Sequence, residues 1–557
     1  MFRHPGSLTG QFVVLSLFAL VPLSSLAIEA VVDVNGDGLL IADPKQGAPL
    51  DRPTSEQPFL FWLNLDQDDT DKPGETWPIE RADGDTPEID SIRDLEDFAR
   101  LRIDLTAEER RTASGPVVLR WAGDAPPRIN LYRAVAPDCS RAHMLDAATA
   151  ERQRAAPYGT RLGVLDDAPV EVPILAGEDS ICLLFDAARG GRGELVVSVS
   201  TVGGQRSTAR VLMELRHVKT FFERRAADWP SDIEAPWRYV DQAPPIPDIK
   251  PYVDDQGYPF VPFWDESDEV IVWVYGWLRS GEGLDEMATT QAGETVFKRL
   301  WHRGFRGRLL YFRWPTVKPR LSYGLLESEY RAYKSAPALL DIVESLPPGR
   351  RVHVTGHSLA AVLLAEALRL GLEAEQVLVQ VGAFPAGAFD TRPRLRLPDM
   401  VEMESPWDSE EGGYRGYLEN TETPVDAMVN YADITFFGWN LAQKRFKPTA
   451  KRGGYRYRWD PKAPPGEEVR LVGPGGTSRI VDDPHEIMAF VARSGTHAIG
   501  AEKRVRGVIR RVYDLARPPY EFGEGHVVGW TRPIQETTPF YTLLLDSFGI
   551  PYVSEQL

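Results

Sequence analysis

Short runs in which hydrophobic and polar residues alternate dominate the chain from Val31 to about residue 220. A period of two predicts strands that bury one face. The clearest runs are 59–63, 117–121, 129–132, 194–200 and 210–215. We therefore expect an all-β, sandwich-like domain over residues 31–220.

The pattern changes near residue 266, where hydrophobic runs begin to alternate with amphipathic segments. The strand candidates are 270–275, 308–312, 352–355, 377–381 and 427–431, and the helix candidates between them are 293–302, 327–346 and 360–370. Alternation of strands and helices predicts a mainly parallel sheet covered on both faces. Residues 266–557 are thus expected to form an α/β domain. The Pro-, Asp- and aromatic-rich residues 221–265 suit a linker or wrapping segment.

The N-terminus has the layout of a secretory signal peptide over residues 1–27. Arg3 and His4 precede an apolar run over 12–21, and small residues precede Ala27. The alternative is an uncleaved membrane anchor, but the run is shorter than the ~20 residues that span a bilayer. We expect an exported protein, periplasmic, on the outer surface or secreted, with no transmembrane segment after signal removal.

The 557-residue chain carries 81 acidic and 63 basic residues, so its formal net charge is −18. An excess of negative charge repels nucleic acid and anionic membrane surfaces at long range. We therefore expect neither as a partner, whereas bound cations are compatible with this charge.

Oxygen-bearing side chains alternate over Asp33, Asn35 and Asp37, and a turn glycine follows. This spacing is typical of loops that wrap around Ca²⁺. Pro44 stands where an EF-hand has its closing Glu, and a second acidic turn over 64–71 could complete the shell. The sequence leaves two interpretations open, a structural Ca²⁺ site or solvated turns.

Cys139 and Cys182 are the two cysteines of the chain. In an exported protein they can close one loop through a disulfide. The alternative is a pair of small buried side chains.

A β-branched strand candidate runs directly into Gly356-His357-Ser358-Leu359-Ala360 and then into an amphipathic helix candidate. This is the context of a G-x-S-x-G nucleophile elbow, a sharp turn that lifts a serine hydroxyl above the edge of a sheet. The fifth position holds alanine instead of glycine. Ser358 is therefore the candidate nucleophile, and the alternative is a serine that only caps a helix.

In folds with such an elbow, the acid of the catalytic triad follows the nucleophile along the chain, and the histidine comes last. Asp433 lies just past the end of a predicted strand, where catalytic groups gather in open α/β sheets, and Asp390 is the reserve. His526 lies in a glycine-rich loop before the last helix candidate, and His485 and His497 are the other late histidines. We expect Asp433 to orient His526. An Asx-turn and a surface-loop histidine are the structural alternatives.

The first strand of the α/β part leads into Tyr275-Gly276-Trp277. Enzymes of this type carry a loop there that supplies one oxyanion N–H, and the residue after the nucleophile supplies the other. The candidate donors are therefore the backbone N–H groups of Trp277 and Leu359. Tyr275 occupies a position where histidine is common. For Trp277, the alternative is a residue that only lines the pocket.

These motifs together resemble a family of exported bacterial α/β hydrolases whose substrates are poorly characterised. The similarity runs through most of residues 270–548 and includes the segments 274–277, 297–301, 312–316, 356–360, 414–417, 430–433, 485–490 and 526–541. The resemblance implies an α/β-hydrolase fold with Ser358, Asp433 and His526 as the triad. It implies no substrate.

The sequence thus predicts an exported serine hydrolase that cleaves a small-molecule or lipid ester, or a related acyl bond, without an organic cofactor. The alternative is a non-catalytic exported binding or scaffold protein built on the same fold, which the departures at Tyr275 and Ala360 leave open. A third candidate is a lipase whose lid begins with the apolar residues 434–439.

Overall fold

The computed structural model describes most of the N-terminal half and the central part of the chain. The described residues are 28–41, 51–64, 89, 91–123, 125–229, 249–255, 257–277, 286–316, 328, 331–384, 389, 418, 421–430, 456–459, 469–472, 478–480, 508–517, 520 and 532–553. The predicted signal peptide, residues 1–27, lies outside them.

Within the described N-terminal residues, ten strands form two sheets. They are β1 (Glu29–Val31), β2 (Phe59–Trp62), β3 (Ala99–Asp104), β4 (Val117–Ala122), β5 (Arg128–Arg133), β6 (Gly163–Leu165), β7 (Val170–Val172), β8 (Ser180–Arg189), β9 (Gly191–Ser200) and β10 (Arg206–Arg216). The sheet orders are β1-β3-β8-β5-β6 and β2-β10-β9-β4-β7. Neighbouring strands are antiparallel, except that β2 and β10 are parallel.

The N-terminal part is mainly β rather than all β. Three short helices interrupt the strands, namely α1 (Ala107–Thr112), α2 (Ala142–Leu145) and α3 (Ala147–Arg154). A 3₁₀ helix over Arg93–Asp97 precedes β3, and its five residues are buried. Cys139 and Cys182 form a disulfide with their Cα atoms 5.4 Å apart, which joins the loop before α2 to β8.

A larger sheet follows, with eight strands among the described residues. They are β11 (Glu223–Asp228), β12 (Lys250–Val253), β13 (Glu269–Val274), β14 (Arg308–Arg313), β15 (Arg351–His357), β16 (Gln376–Gln380), β17 (Val425–Val429) and β21 (Ile509–Asp514), in the order β12-β11-β14-β13-β15-β16-β17-β21. Every neighbouring pair is parallel except the edge strand β12 with β11. The strands β18 (Arg456–Trp459), β19 (Val469–Val472) and β20 (Ser478–Ile480) form a small antiparallel sheet of their own.

The α/β part begins earlier in the chain than predicted. The strands β11 and β12 come from the segment 221–265, which the sequence suggested was a linker, yet β11 pairs in parallel with β14. The charged residues of β11 do not show the pattern of a buried strand. The strand β12 contains Pro251, which suits an edge strand because proline lacks the N–H that a central strand needs.

Four longer helices accompany the large sheet among the described residues: α4 (Glu286–His302), α5 (Ala336–Glu344), α6 (Ala360–Arg369) and α7 (Ile534–Phe548). Hydrophobic side chains of α4, α6 and α7 belong to one cluster with the strands of the large sheet and with those of the N-terminal sheets. The fold is therefore α/β, and its core continues into the N-terminal part. None of the helices in the described ranges is long and apolar enough to cross a membrane.

Four charged side chains are buried together where the N-terminal part meets α4. Lys298 Nζ lies 2.7 Å from a carboxylate oxygen of Asp97, and Arg299 Nε lies 2.9 Å from one of Glu96. All four side chains are at most 1% exposed. Arg299 also donates to Thr537 Oγ1 of α7 at 3.0 Å. The two pairs join the 3₁₀ helix, α4 and α7, because none of these charges has water to replace its partner.

Removing one member of a buried pair should be costly. Lys298→Met is expected to lower the free energy of unfolding by about 3–5 kcal/mol, because Asp97 would keep its charge in the core without a counter-charge. Adding Asp97→Asn should restore part of that loss. Urea denaturation of both variants measures the effect.

The exposed pair between Arg52 and Glu29 offers a matched control, with side chains 61% and 33% exposed. Arg52→Ala should lower the free energy of unfolding by less than about 1 kcal/mol. A loss of similar size for Arg52→Ala and Lys298→Met would contradict the importance assigned to the buried pairs.

Candidate active site

Ser358 occupies the turn between β15 and α6 in a strained backbone conformation. Its φ is +56°, in the left-handed region that non-glycine residues rarely adopt. Such a residue costs of order 1 kcal/mol or more, so the surroundings must hold it. The Ser358 N–H donates to the Gln380 carbonyl at 2.9 Å, and the Ser358 carbonyl accepts from the Ala383 N–H at 2.8 Å. Both partners lie at or after the end of β16, so the neighbouring strand fixes the turn.

The glycine before the turn allows the helix to pack directly against the strand. A Cβ on Gly356 would lie 2.9 Å from Leu364 Cδ1 and 3.0 Å from Ala360 Cβ. The methyl group of Ala360 therefore fills space that the missing side chain of Gly356 leaves. The departure from glycine at the fifth elbow position is accommodated in this way.

The loop after β13 lies beside this turn. The strands β13 and β15 are parallel neighbours, and Val274 is paired with Gly356, so the residues that follow each strand emerge together. A Cβ on Gly276 would lie 2.8 Å from the His357 carbonyl oxygen and 3.4 Å from Ser358 Cβ. Only glycine fits this close approach of two backbones. The predicted oxyanion loop is thus adjacent to the predicted nucleophile.

The Tyr275 side chain is part of the hydrophobic core. It is buried, and its ring centroid lies 6.0 Å from that of Tyr311 on β14. The tyrosine at this position, where histidine is common, therefore has a packing role beside β14. Trp277 is half-buried and packs against the main hydrophobic cluster, which fits either of its predicted roles.

The predicted acid and base, Asp433 and His526, lie outside the described residues. The same is true of Asp390, His485 and His497. The structure brings together the nucleophile and the two predicted oxyanion segments. The remainder of the predicted triad stays a prediction.

Two other titratable residues of the central strands have structural partners. His353 Nε2 lies 2.9 Å from Glu269 Oε2, and burial lowers the pKa of His353. The carboxylate of Asp426 accepts from Arg511 Nε at 2.8 Å and from Gln376 Nε2 at 2.9 Å. Both residues lie near the N-terminal ends of their strands, whereas the elbow follows the C-terminal end of β15. Neither residue is therefore a candidate for the acid or the base beside Ser358.

The side chains predicted to hold Ca²⁺ bond within their own loop and to an arginine. The Asp37 N–H donates to Asn35 Oδ1 at 2.9 Å, and Arg100 Nη2 donates to Asp33 Oδ2 at 3.0 Å. Among the residues that the structure describes, no three His, Cys, Asp or Glu side chains are grouped as a metal site would require. Most of the second acidic turn, 64–71, lies outside those residues. Calcium binding stays a prediction.

Asp51 belongs to this loop region, although no sequence motif marks it. Its carboxylate accepts from the Val34 N–H at 3.0 Å and from the Ile41 N–H at 2.7 Å, so it clamps both ends of the loop. Burial, with the charges of Asp33 and Asp37 in support, raises the pKa of Asp51 to about 7.

Known proteins offer limited comparison. No family model and no curated protein matches the chain. Among solved structures, the esterase domain of a Rhodothermus marinus protein aligns over 65% of this chain and 99% of its own, with 11% identity and a TM-score of 0.24. The type II thioesterase YbtT of the yersiniabactin pathway aligns over 51% and 94%, with 13% identity and a TM-score of 0.20. A Staphylococcus aureus protein of unknown function aligns over 51% and 90%, with 13% identity and a TM-score of 0.24. At TM-scores this low the likeness carries no argument, so the α/β assignment rests on the strand order itself.

The contact between Gly356 and Ala360 should appear as energetic coupling. Gly356→Ala is expected to lower the free energy of unfolding by about 1–3 kcal/mol, because the new methyl group has no room. A double-mutant cycle with Ala360→Gly should give a coupling of at least about 0.5 kcal/mol, measured by urea denaturation. Gly115→Ala is the control, since nothing lies within 4 Å of its added Cβ. Strict additivity in the cycle would contradict the contact.

The raised pKa of Asp51 predicts a pH dependence of stability. The folded state favours the protonated Asp51 carboxyl. The contribution of this carboxyl to the free energy of unfolding is therefore complete below the ordinary pKa of 3.8 and is lost as the pH rises to about 7. The free energy of unfolding should therefore fall less between pH 4 and pH 7 in Asp51→Asn than in the wild type. Urea denaturation of both proteins across this range tests it. Equal slopes for wild type and Asp51→Asn would contradict the assignment.

Proposed function

We propose that this chain is a serine hydrolase that cleaves an ester or a related acyl bond. The observation that carries the proposal is Ser358 at φ +56° between β15 and α6, with Gly276 packed against the same turn. A serine that merely caps a helix needs no left-handed backbone and no second loop beside it. A nucleophile elbow with an oxyanion loop needs both.

In the proposed reaction, Ser358 Oγ attacks the acyl carbon and gives its proton to His526, which Asp433 orients. The carbonyl oxygen becomes an oxyanion that the N–H groups of Leu359 and Trp277 hold. Leu359 precedes α6, so the positive end of the helix dipole faces the developing negative charge. His526 then protonates the leaving oxygen, and the acyl group stays on Ser358 Oγ. In the second half of the reaction, His526 takes a proton from water and the water oxygen bonds to the acyl carbon. The bond to Ser358 Oγ breaks, Oγ takes the proton back, and the acid is released.

We further propose that the protein works outside the cytoplasm. The predicted signal peptide supports this, and so does the disulfide between Cys139 and Cys182, because such bonds persist mainly in oxidising compartments. A small-molecule or lipid ester is the proposed substrate class, and no organic cofactor is required. A structural Ca²⁺ at Asp33, Asn35 and Asp37 is proposed only as a brace for the N-terminal part.

The elbow predicts that Ser358 reacts with an active-site probe. The purified wild-type chain should be labelled covalently by a fluorophosphonate, and Ser358→Ala should abolish labelling, because only an activated serine attacks the phosphorus. Hydrolysis of p-nitrophenyl acetate should fall roughly 10³-fold or more. His526→Ala should have the same effect on both readouts.

Three controls make this test specific. Ser345→Ala removes the hydroxyl at the C-terminal end of α5 and should leave labelling unchanged. His485→Ala and His497→Ala should also keep it, and a loss in one of them with retention in His526→Ala would move the base to that histidine. A folded wild type that resists labelling with and without detergent would contradict the hydrolase proposal and favour a binding protein on this fold.

A further inference from the structure

The peptide that leads into the oxyanion loop is held by a tryptophan to which the sequence assigned no role. Trp314 follows β14 and is 2% exposed. Its indole Nε1–H donates to the Tyr275 carbonyl at 2.6 Å. The Tyr275 N–H donates to the Phe312 carbonyl at 3.1 Å. Both polar backbone groups of Tyr275 therefore face β14.

This orientation determines where the next amide points. A trans peptide directs its C=O and its N–H to opposite sides, so a Tyr275 carbonyl that faces β14 sends the Gly276 N–H the other way. The strand on that side of β13 is β15, which ends at the elbow. Gly276 is buried beside Ser358, and within the described part of the chain its N–H donates to no carbonyl.

We propose that Trp314 is a positioning residue for the oxyanion loop. Its indole N–H fixes the Tyr275–Gly276 peptide, so that the Gly276 N–H faces the elbow together with the Leu359 N–H. The inference rests on the proposed function and deepens it. When Ser358 Oγ bonds to the acyl carbon and passes its proton to the base, the carbonyl π electrons move onto oxygen. The Gly276 N–H then binds that charge, alongside Trp277, and Trp314 itself contacts no substrate.

The expected effect is on the chemical step rather than on binding. A donor aimed at the oxyanion is used only in the transition state, so its loss lowers kcat and leaves KM nearly unchanged. Removing such a donor lowers kcat by roughly 10²–10³-fold, and a shift of about 1 Å in position can have a 10²-fold effect. Because loss of the Trp314 hydrogen bond loosens the donor without deleting it, we expect kcat to fall about 10- to 100-fold.

Two replacements of Trp314 in the full chain test this. Trp314→Phe removes the N–H and keeps an aromatic ring. Replacement of Trp314 by 3-benzothienylalanine, in which sulfur takes the place of the N–H, preserves the shape of the indole and guards against a folding defect. Trp264→Phe is the matched control, because Trp264 Nε1 donates at 3.2 Å to the carbonyl of Pro58, which precedes β2 and belongs neither to the elbow nor to the predicted oxyanion loop.

The readouts are kcat and KM on p-nitrophenyl acetate, the rate of fluorophosphonate labelling, and urea denaturation. Both Trp314 replacements should lower kcat and the labelling rate about 10- to 100-fold, with KM changed less than about twofold and with Trp264→Phe unaffected. A wild-type kcat in the benzothienyl variant, or an equal loss in Trp264→Phe, would overturn the role of Trp314 alone. A wild type that neither hydrolyses ester nor accepts the probe would overturn the proposed function and this inference with it.

Discussion

Two ion pairs without access to water join the N-terminal part of the chain to the α/β part. Glu96 and Asp97 project from a short 3₁₀ helix in the N-terminal part, and Lys298 and Arg299 meet them from α4. A charge at most 1% exposed must be paired, so the two parts of the chain can adopt only one relative position. Among the described helices, α4 is the next one after the predicted oxyanion loop, and it packs in one cluster with the strands of the large sheet. The ion pairs therefore also hold an element of the sheet that carries the candidate site. Thr537 extends the same network to α7, the helix that follows the predicted histidine loop.

The candidate site itself depends on close backbone packing. Ser358 is held at positive φ by Gln380 and Ala383, whereas Gly276 and Gly356 allow the neighbouring loop and the helix to reach it. A strained backbone conformation persists only where the surrounding contacts hold it in place, and such positions are often found at functional sites. The elbow and the oxyanion loop come from sequence positions about 80 residues apart, and the parallel pairing of β13 with β15 is what brings them together.

Much of this could be predicted from the sequence, because hydrophobic periodicity decides which faces are buried. The strands β13 to β17 lie within a few residues of their predicted bounds, and the turn at Ser358 follows from the strand, the glycine and the helix around it. Three features could not be found this way. Four of the six residues of β11 are charged, so the strand looks like a linker. Lys298 and Arg299 look like the solvent face of a helix, and only the tertiary structure shows that they are buried. The function of Trp314 depends on a carbonyl 39 residues away, which no local pattern reveals.

The buried charge pairs also decide how small this protein can be made. A fragment that starts at residue 266 would lack β11 and β12, uncover the apolar side of α4 and leave Lys298 and Arg299 without their carboxylates. A piece that keeps these two ion pairs must reach back at least to the 3₁₀ helix at residues 93–97. The N-terminal part is therefore not an independent domain that could be removed. An exchange of this part by gene rearrangement would also require changes in the sequence of α4.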